Sequence, residues 1–128
     1  MTTTLDVAKT ALESYHDVTV DTDGALTFAH GGVVCAVQGM LLDEGLDVLN
    51  ITCVVAWDLP LEDDVPTRVA FGAGEGLFGT PRVIRGERGW DVTLRYAFPA
   101  TGLDEKAMGT LLMLVVSGAS SLRAELTS

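Results

Sequence analysis

The sequence predicts an α+β domain: an antiparallel sheet with helices packed on one face. Three observations carry this expectation. Trp90, Val92, Leu94, Tyr96 and Phe98 alternate with Asp91, Thr93, Arg95 and Ala97, the two-residue period of a strand with one buried and one wet face. After Pro99, Leu103, Ala107, Leu111, Leu114, Val115, Gly118, Leu122 and Leu126 recur at steps of three and four, which is a helical stripe. Upstream, three apolar segments are joined by tight turns and not by helices, so they form a meander and not a βαβ repeat. The 128 residues suit one domain, residues 1–128.

The elements follow in order. Thr3 or Thr4 caps a first helix to about Tyr15, with Leu5, Ala8, Leu12 and Tyr15 on one stripe, and His16-Asp17 ends it. Val18 to Val20 is a short extended piece, followed by the turn Asp21-Thr22-Asp23-Gly24. Ala25 to Ala29 is a strand with Leu26 and Phe28 on one face, and His30-Gly31-Gly32 turns the chain into Val33 to Leu42, a central strand. Asp43-Glu44-Gly45 reads as a three-residue hairpin loop with Gly45 left-handed, which sets Leu42 opposite Leu46. Counting back along both strands sets Cys35 opposite Cys53. From Leu46 to Trp57, the residues Leu49, Ile51, Cys53, Val55 and Trp57 face the helices.

The middle of the chain is acidic and broken by Pro60 and Pro66. Asp64 is a candidate cap and Pro66 a candidate first residue of a weak helix through Ala73, with an irregular loop the alternative because of Gly72, Gly74, Gly76 and Gly79. Arg82 to Arg85, a Gly86–Gly89 turn and Trp90 to Phe98 form a second hairpin. The order is helix, three strands, weak helix, two strands, long helix, with about five strands.

Composition excludes several classes. A net charge of −10 and a pI near 4.3 oppose nucleic acid and anionic membrane surfaces as partners. Hydrophobic residues at 48% exclude a disordered chain. The N-terminal segment has no cationic start or apolar core of signal-peptide length, so the expected location is cytoplasmic. Sixteen uncharged residues between Lys106 and Arg123 fall short of the roughly 20 that span a bilayer, so a buried helix is expected there.

Chemistry is sparse. Phe71 to Gly79 looks like a phosphate loop, but Glu75 sits inside it, no Lys-Ser/Thr follows, and Thr80-Pro81 leads into a strand. His16 and His30 are the only imidazoles, and nothing local assembles a nucleophile, base and acid. Two cysteines make no disulfide framework and no zinc site by themselves. No catalytic residue, metal or cofactor is therefore assigned.

Charge distribution is the more telling feature. Arg82, Arg85, Arg88 and Arg95 crowd the second hairpin against only Glu87 and Asp91, so this segment is positive inside an acidic chain. Arg95 alternates with the buried set of its strand and is expected to point away from the helices. The arginines read either as a solvated face balanced by Glu62-Asp63-Asp64, or as a bidentate surface for an acidic peptide or a subunit's acidic edge. Trp57 and Trp90 read as core anchors; exposed, either would suit a small-molecule pocket between sheet and helix. The last helix has more apolar surface than one sheet face needs, with Leu112, Met113 and Val116 off the main stripe, which points to a homodimer interface or partner groove.

The element order, small size, acidic charge and apolar last helix resemble the type III secretion chaperone-like fold, and more specifically the YbjN-type proteins called putative sensory transduction regulators. The Asp21–Gly24 turn before Leu26 and Phe28, the strand end Val54-Val55-Ala56-Trp57-Asp58-Leu59-Pro60, and Val69-Ala70-Phe71 with Leu77-Phe78-Gly79-Thr80-Pro81-Arg82-Val83 carry the likeness, from about Leu5 to Leu126. Gly72-Ala73-Gly74-Glu75 departs from the Asn-x-x-Asn-type stretch of many relatives. The resemblance implies a fold and a style of function: a non-enzymatic module that binds protein segments, often as a dimer.

Overall fold

A computed structural model of the chain describes residues 3–73 and 78–128. The first helix, α1 (Thr4–Glu13), starts at a capping box: the Thr3 side chain accepts from the Asp6 N–H, and the Asp6 carboxylate accepts from the Thr3 N–H. Those hydrogen bonds, the one from the Thr3 backbone foremost, hold the Asp6 carboxyl below its usual range. The helix stops at Glu13. Tyr15 therefore leaves the expected stripe and is 81% exposed, while Ala8 and Leu12 are buried.

The sheet has six antiparallel strands in the order β1-β2-β3-β4-β6-β5: β1 (Thr19–Val20), β2 (Leu26–His30), β3 (Val33–Asp43), β4 (Leu46–Leu59), β5 (Thr80–Arg85) and β6 (Trp90–Pro99). The sixth strand is the short piece before the Asp21–Gly24 turn, which pairs Thr19 with Thr27 and Val20 with Leu26. Cys35 lies opposite Cys53, as the hairpin count requires. The turn itself differs. Asp43 pairs with Leu46 and Leu41 with Asp47, so Leu42 is an extra residue and does not face Leu46. Gly45 takes the left-handed conformation, φ +78°.

A second irregularity matters more. The β4–β6 register shifts between Val54 and Ala56, so Ala56 takes an inward place opposite Val92. An extra residue reverses which face follows. Trp57, expected to face the helices, is instead 49% exposed.

Between the hairpins, α2 (Val65–Arg68) is followed by a single wider turn over Val69–Ala73. Val65 precedes Pro66 in that helix, so Pro66 is its second residue. Asp64 does not cap the backbone; its carboxylate accepts from Thr67 Oγ1. Residues 74–77 lie outside the described residues, and with them fall the expectations for the centre of the glycine-rich segment.

The last helix, α3 (Glu105–Thr127), is capped by Asp104, whose side chain accepts from the Ala107 N–H at 2.8 Å. Its length and composition alone would suffice to cross a membrane. It buries Met108, Leu112, Val115, Val116, Ala119, Leu122 and Leu126. These pack with Leu12 of α1 and with Leu26, Phe28, Val33, Val37, Leu49, Ile51, Val92 and Leu94 of the sheet, in one core. Each fully buried Leu or Ile contributes about 1.5–3 kcal/mol of burial. The stripe read from the sequence was thus rotated about the helix axis: Leu112 and Val116 belong to the core, and Leu114 faces outward.

Two glycines fix where α3 lies. Gly31 and Gly32, between β2 and β3, both have positive φ. A Cβ on Gly31 would strike the Ser120 hydroxyl, and one on Gly32 would stand 2.6 Å from Arg123 Nε. Arg123 Nη1 donates to the Val55 carbonyl at 2.9 Å, and Arg68 Nη2 donates to the Glu125 carbonyl at 2.7 Å. The helices hence occupy one face of the sheet.

Candidate functional site

Register identifies what lies on the other face. Thr27 pairs with Ala36, Ala36 with Thr52, Thr52 with Arg95 and Arg95 with Thr80. Directly paired residues share a face, so this row crosses five strands opposite the core. The next rows add Ala29, Val34, Val54, Thr93 and Arg82, then Gln38, Asn50 and Ala97. The surface is β-branched and small in the middle, polar at one rim and cationic toward β5. Among these rows there is no carboxylate. Asp91, beyond them on β6, turns its Oδ1 to accept from the Asp58 N–H at 3.0 Å.

The four arginines do not act as one surface. Arg82 and Arg95 share the open face as diagonal neighbours, both exposed. Arg85 pairs with Trp90 and so lies on the helical side, its guanidinium 6.0 Å from the Trp90 ring centre. Arg88 sits in the exposed turn between β5 and β6. The alternation rule already separates Arg82 from Arg85, because three positions along a strand reverse the face. Arg82 has Arg95 as one diagonal neighbour on β6 and Asp91 as the other, and Arg95 turns its Nε away from β5 toward Asn50 on β4.

One residue of this face escaped the sequence reading. Asn50 is a polar side chain that is only 8% exposed. Its Oδ1 accepts from Arg95 Nε at 3.1 Å. Both line a surface cleft of about 470 Å³ together with Leu5 of α1, Asp23, Gly24, Ala25, Gln38, Gly39 and Met40. The sequence placed Asn50 on the wet face of its strand; only its register beside Arg95 gives it a partner.

On the helical side a second, larger cleft of about 670 Å³ runs between α1 and α3. Ala11, Tyr15, Gly109, Thr110, Met113, Leu114 and Ser117 line it, with Glu105 and Lys106 at one end. The helices come close at Gly109, where an added Cβ would make ordinary contact with Ala11 Cβ at 3.5 Å. Of the three residues assigned to an interface, only half-buried Met113 reaches this cleft. Leu112 and Val116 are fully buried within the chain's own core and cannot serve one. Tyr15 and Leu114 take their place.

The remaining chemical groups are structural in character. Cys35 and Cys53 are free and buried. The hydrogen bond to Cys53, together with burial, pushes the Cys35 thiol far above its ordinary range, which makes it a poor nucleophile. His16 Nε2 lies 3.0 Å from His30 Nδ1, and the ring of His16 packs on Phe28. His16 Nδ1 is buried without a partner. Of His16 Nε2 and His30 Nδ1, one donates to the other, according to the tautomers the imidazoles adopt. Among the described residues no three His, Cys, Asp or Glu side chains gather where they could hold a metal ion. Trp90 is half-buried, its indole N–H directed at the Leu61 carbonyl, and Trp57 lies under the Arg123 guanidinium at 5.2 Å.

No protein-family model and no curated protein matches this chain.

Proposed function

We propose that this protein is a non-enzymatic binding module, chaperone-like or regulatory in the manner of the YbjN-type proteins, that takes an acidic protein segment on its open sheet face. One observation carries the reading. In a chain with 18 carboxylates, the central rows of the open face hold none, while each of two adjacent rows there presents an exposed arginine, Arg82 and Arg95. That surface is complementary to an acidic, extended segment and repels basic ones. Its Thr, Val and Ala side chains offer shallow apolar contact of the kind an extended chain needs. Two free, buried cysteines suit a reducing compartment, and we place the protein in the cytoplasm.

The test is selection from a random peptide library on the immobilised protein, beside its Arg82→Ser/Arg95→Ser variant. Enrichment of Asp- and Glu-containing peptides that disappears in the variant is the expected result. Equal selection by both proteins, or no acidic enrichment, overturns the reading.

A second contact is supported by the α1–α3 cleft. Tyr15 and Leu114 are exposed at a concave apolar surface with charge only at its end, and we assign homodimer formation to it. Sedimentation across micromolar to millimolar concentration should show a dimer that Leu114→Glu abolishes. A wild-type chain that stays monomeric throughout would remove this assignment.

A further inference from the structure

Asn50 is the one buried polar residue among the described side chains, and burying an amide is costly unless its polar atoms are engaged. Its Oδ1 is engaged by Arg95 Nε, a contact between diagonal neighbours on β4 and β6. That contact has a directional consequence. A guanidinium can meet a carboxylate through its Nε–Nη edge or through its Nη–Nη edge. Asn50 occupies the first edge, so the second is the one left for a ligand. The amide also restrains the direction in which the guanidinium points, and with it the approach open to an incoming carboxylate.

We propose that this cleft at the rim of the open face is an anchor site for one acidic side chain of a bound segment, taken by the two Nη groups of Arg95 while Asn50 holds the arginine in place. The proposal rests on the reading of the open face as a binding surface and names the group it recognises. Arg95 is the one cation on the cleft's lining and Asp23 the one carboxylate, so the lining offers a single acid a partner and disfavours a second. Met40 and Ala25 give the flanking residues of the segment an apolar wall, so the preferred sequence is an isolated Glu or Asp between small or aliphatic residues. Arg82, outside the cleft, supplies long-range attraction and not geometry. Asn50 is accordingly a positioning residue, and Arg95 the residue that touches the ligand.

The experiment uses the full chain and capped, extended peptides built from Ser, Thr, Val and Ala with one central Glu, compared with the same peptides carrying Gln. The side-chain Nε–H resonance of Arg95 reports the site directly. Glu peptides should shift that resonance and bind about tenfold or more tightly than Gln peptides, the loss of one charge-assisted contact. Arg95→Lys should lose the same factor, because it keeps the charge and loses the fork. Asn50→Ser should weaken Glu peptides and leave Gln peptides unchanged, while Arg82→Ala should change mainly the salt dependence.

Three results would overturn the proposal. If Glu and Gln peptides bind equally and Arg82→Ala abolishes both, the open face binds segments but Arg95 is not the anchor. If acetate, or a free peptide C-terminus, shifts the Arg95 resonance as strongly as the Glu peptides do, the site is a general anion site. If the Arg95 resonance never moves and no peptide binds, the reading of the open face fails with it.

Discussion

The two faces of the sheet are built from the same strands by alternation, yet they differ in everything that decides a role. On the covered face, Leu49, Ile51, Val92 and Leu94 share one core with Leu112, Val115 and Leu122. On the open face, Thr52, Val54 and Thr93 stand with Arg82 and Arg95, in reach of solvent. The covered face derives its stability from area removed from water, which is non-directional. The open face contributes little of that kind and carries instead two charges of the sign opposite to the whole. The apolar core and the exposed arginines are thus separated by one layer of backbone.

Substitutions on the two faces should show this separation, and the largest effect belongs to the covered one. Leu112→Ala removes a fully buried side chain under the sheet and should cost about 2–5 kcal/mol in urea unfolding. Leu114→Ala, two residues on but exposed, should cost about 0.5 kcal/mol or less in the monomer. Equal losses would mean that α3 is rotated from the position described.

The covered face should also reveal itself in alkali. The Cys35 thiol is raised in the folded state above its ordinary value of 9.0, so the native protein keeps a proton that the unfolded chain releases. That contribution is complete below about pH 9 and declines above it, by about 1.4 kcal/mol per pH unit. Cys35→Ala should flatten the slope, measured as urea midpoints between neutral and alkaline pH. A slope unchanged by the substitution would place its origin elsewhere.

The smallest effect is expected on the open face. Arg82→Ser should alter stability by no more than about 0.5 kcal/mol, because the side chain is exposed and away from the core. A loss well beyond that would show the arginine to be structural, and the comparison between the faces would break.

Much of this architecture was legible because alternation and tight turns leave few choices. The Cys35–Cys53 pairing followed from Gly45 and a count along two strands. The helix was harder. α3 is apolar on all sides between Leu111 and Val116, so although Val115, Leu122 and Leu126 face the sheet as expected, the sequence offered no constraint that put Leu112 and Val116 inside and Leu114 outside. Trp57 was misplaced for a related reason: the shift between Val54 and Ala56 leaves no mark in residue types. Of the candidate site, Arg95 could be placed by period alone, and Arg82 and Arg85 could have been parted by the same rule. Asn50 could not, since its partner is set by the pairing of β4 with β6, 45 residues apart in the chain.

The close approach of α3 to Gly31 and Gly32 has a consequence for how the protein is made. The sheet's inner surface is complete once β6 has left the ribosome, but the helix that covers it is synthesised afterwards. During that interval α1 alone covers any of the inner face, and Leu26, Val33 and Ile51 of a nascent chain lack the cover that α3 gives them. A side chain at Gly32, where φ is +85°, would strain the turn and oblige Arg123 to move as α3 docks.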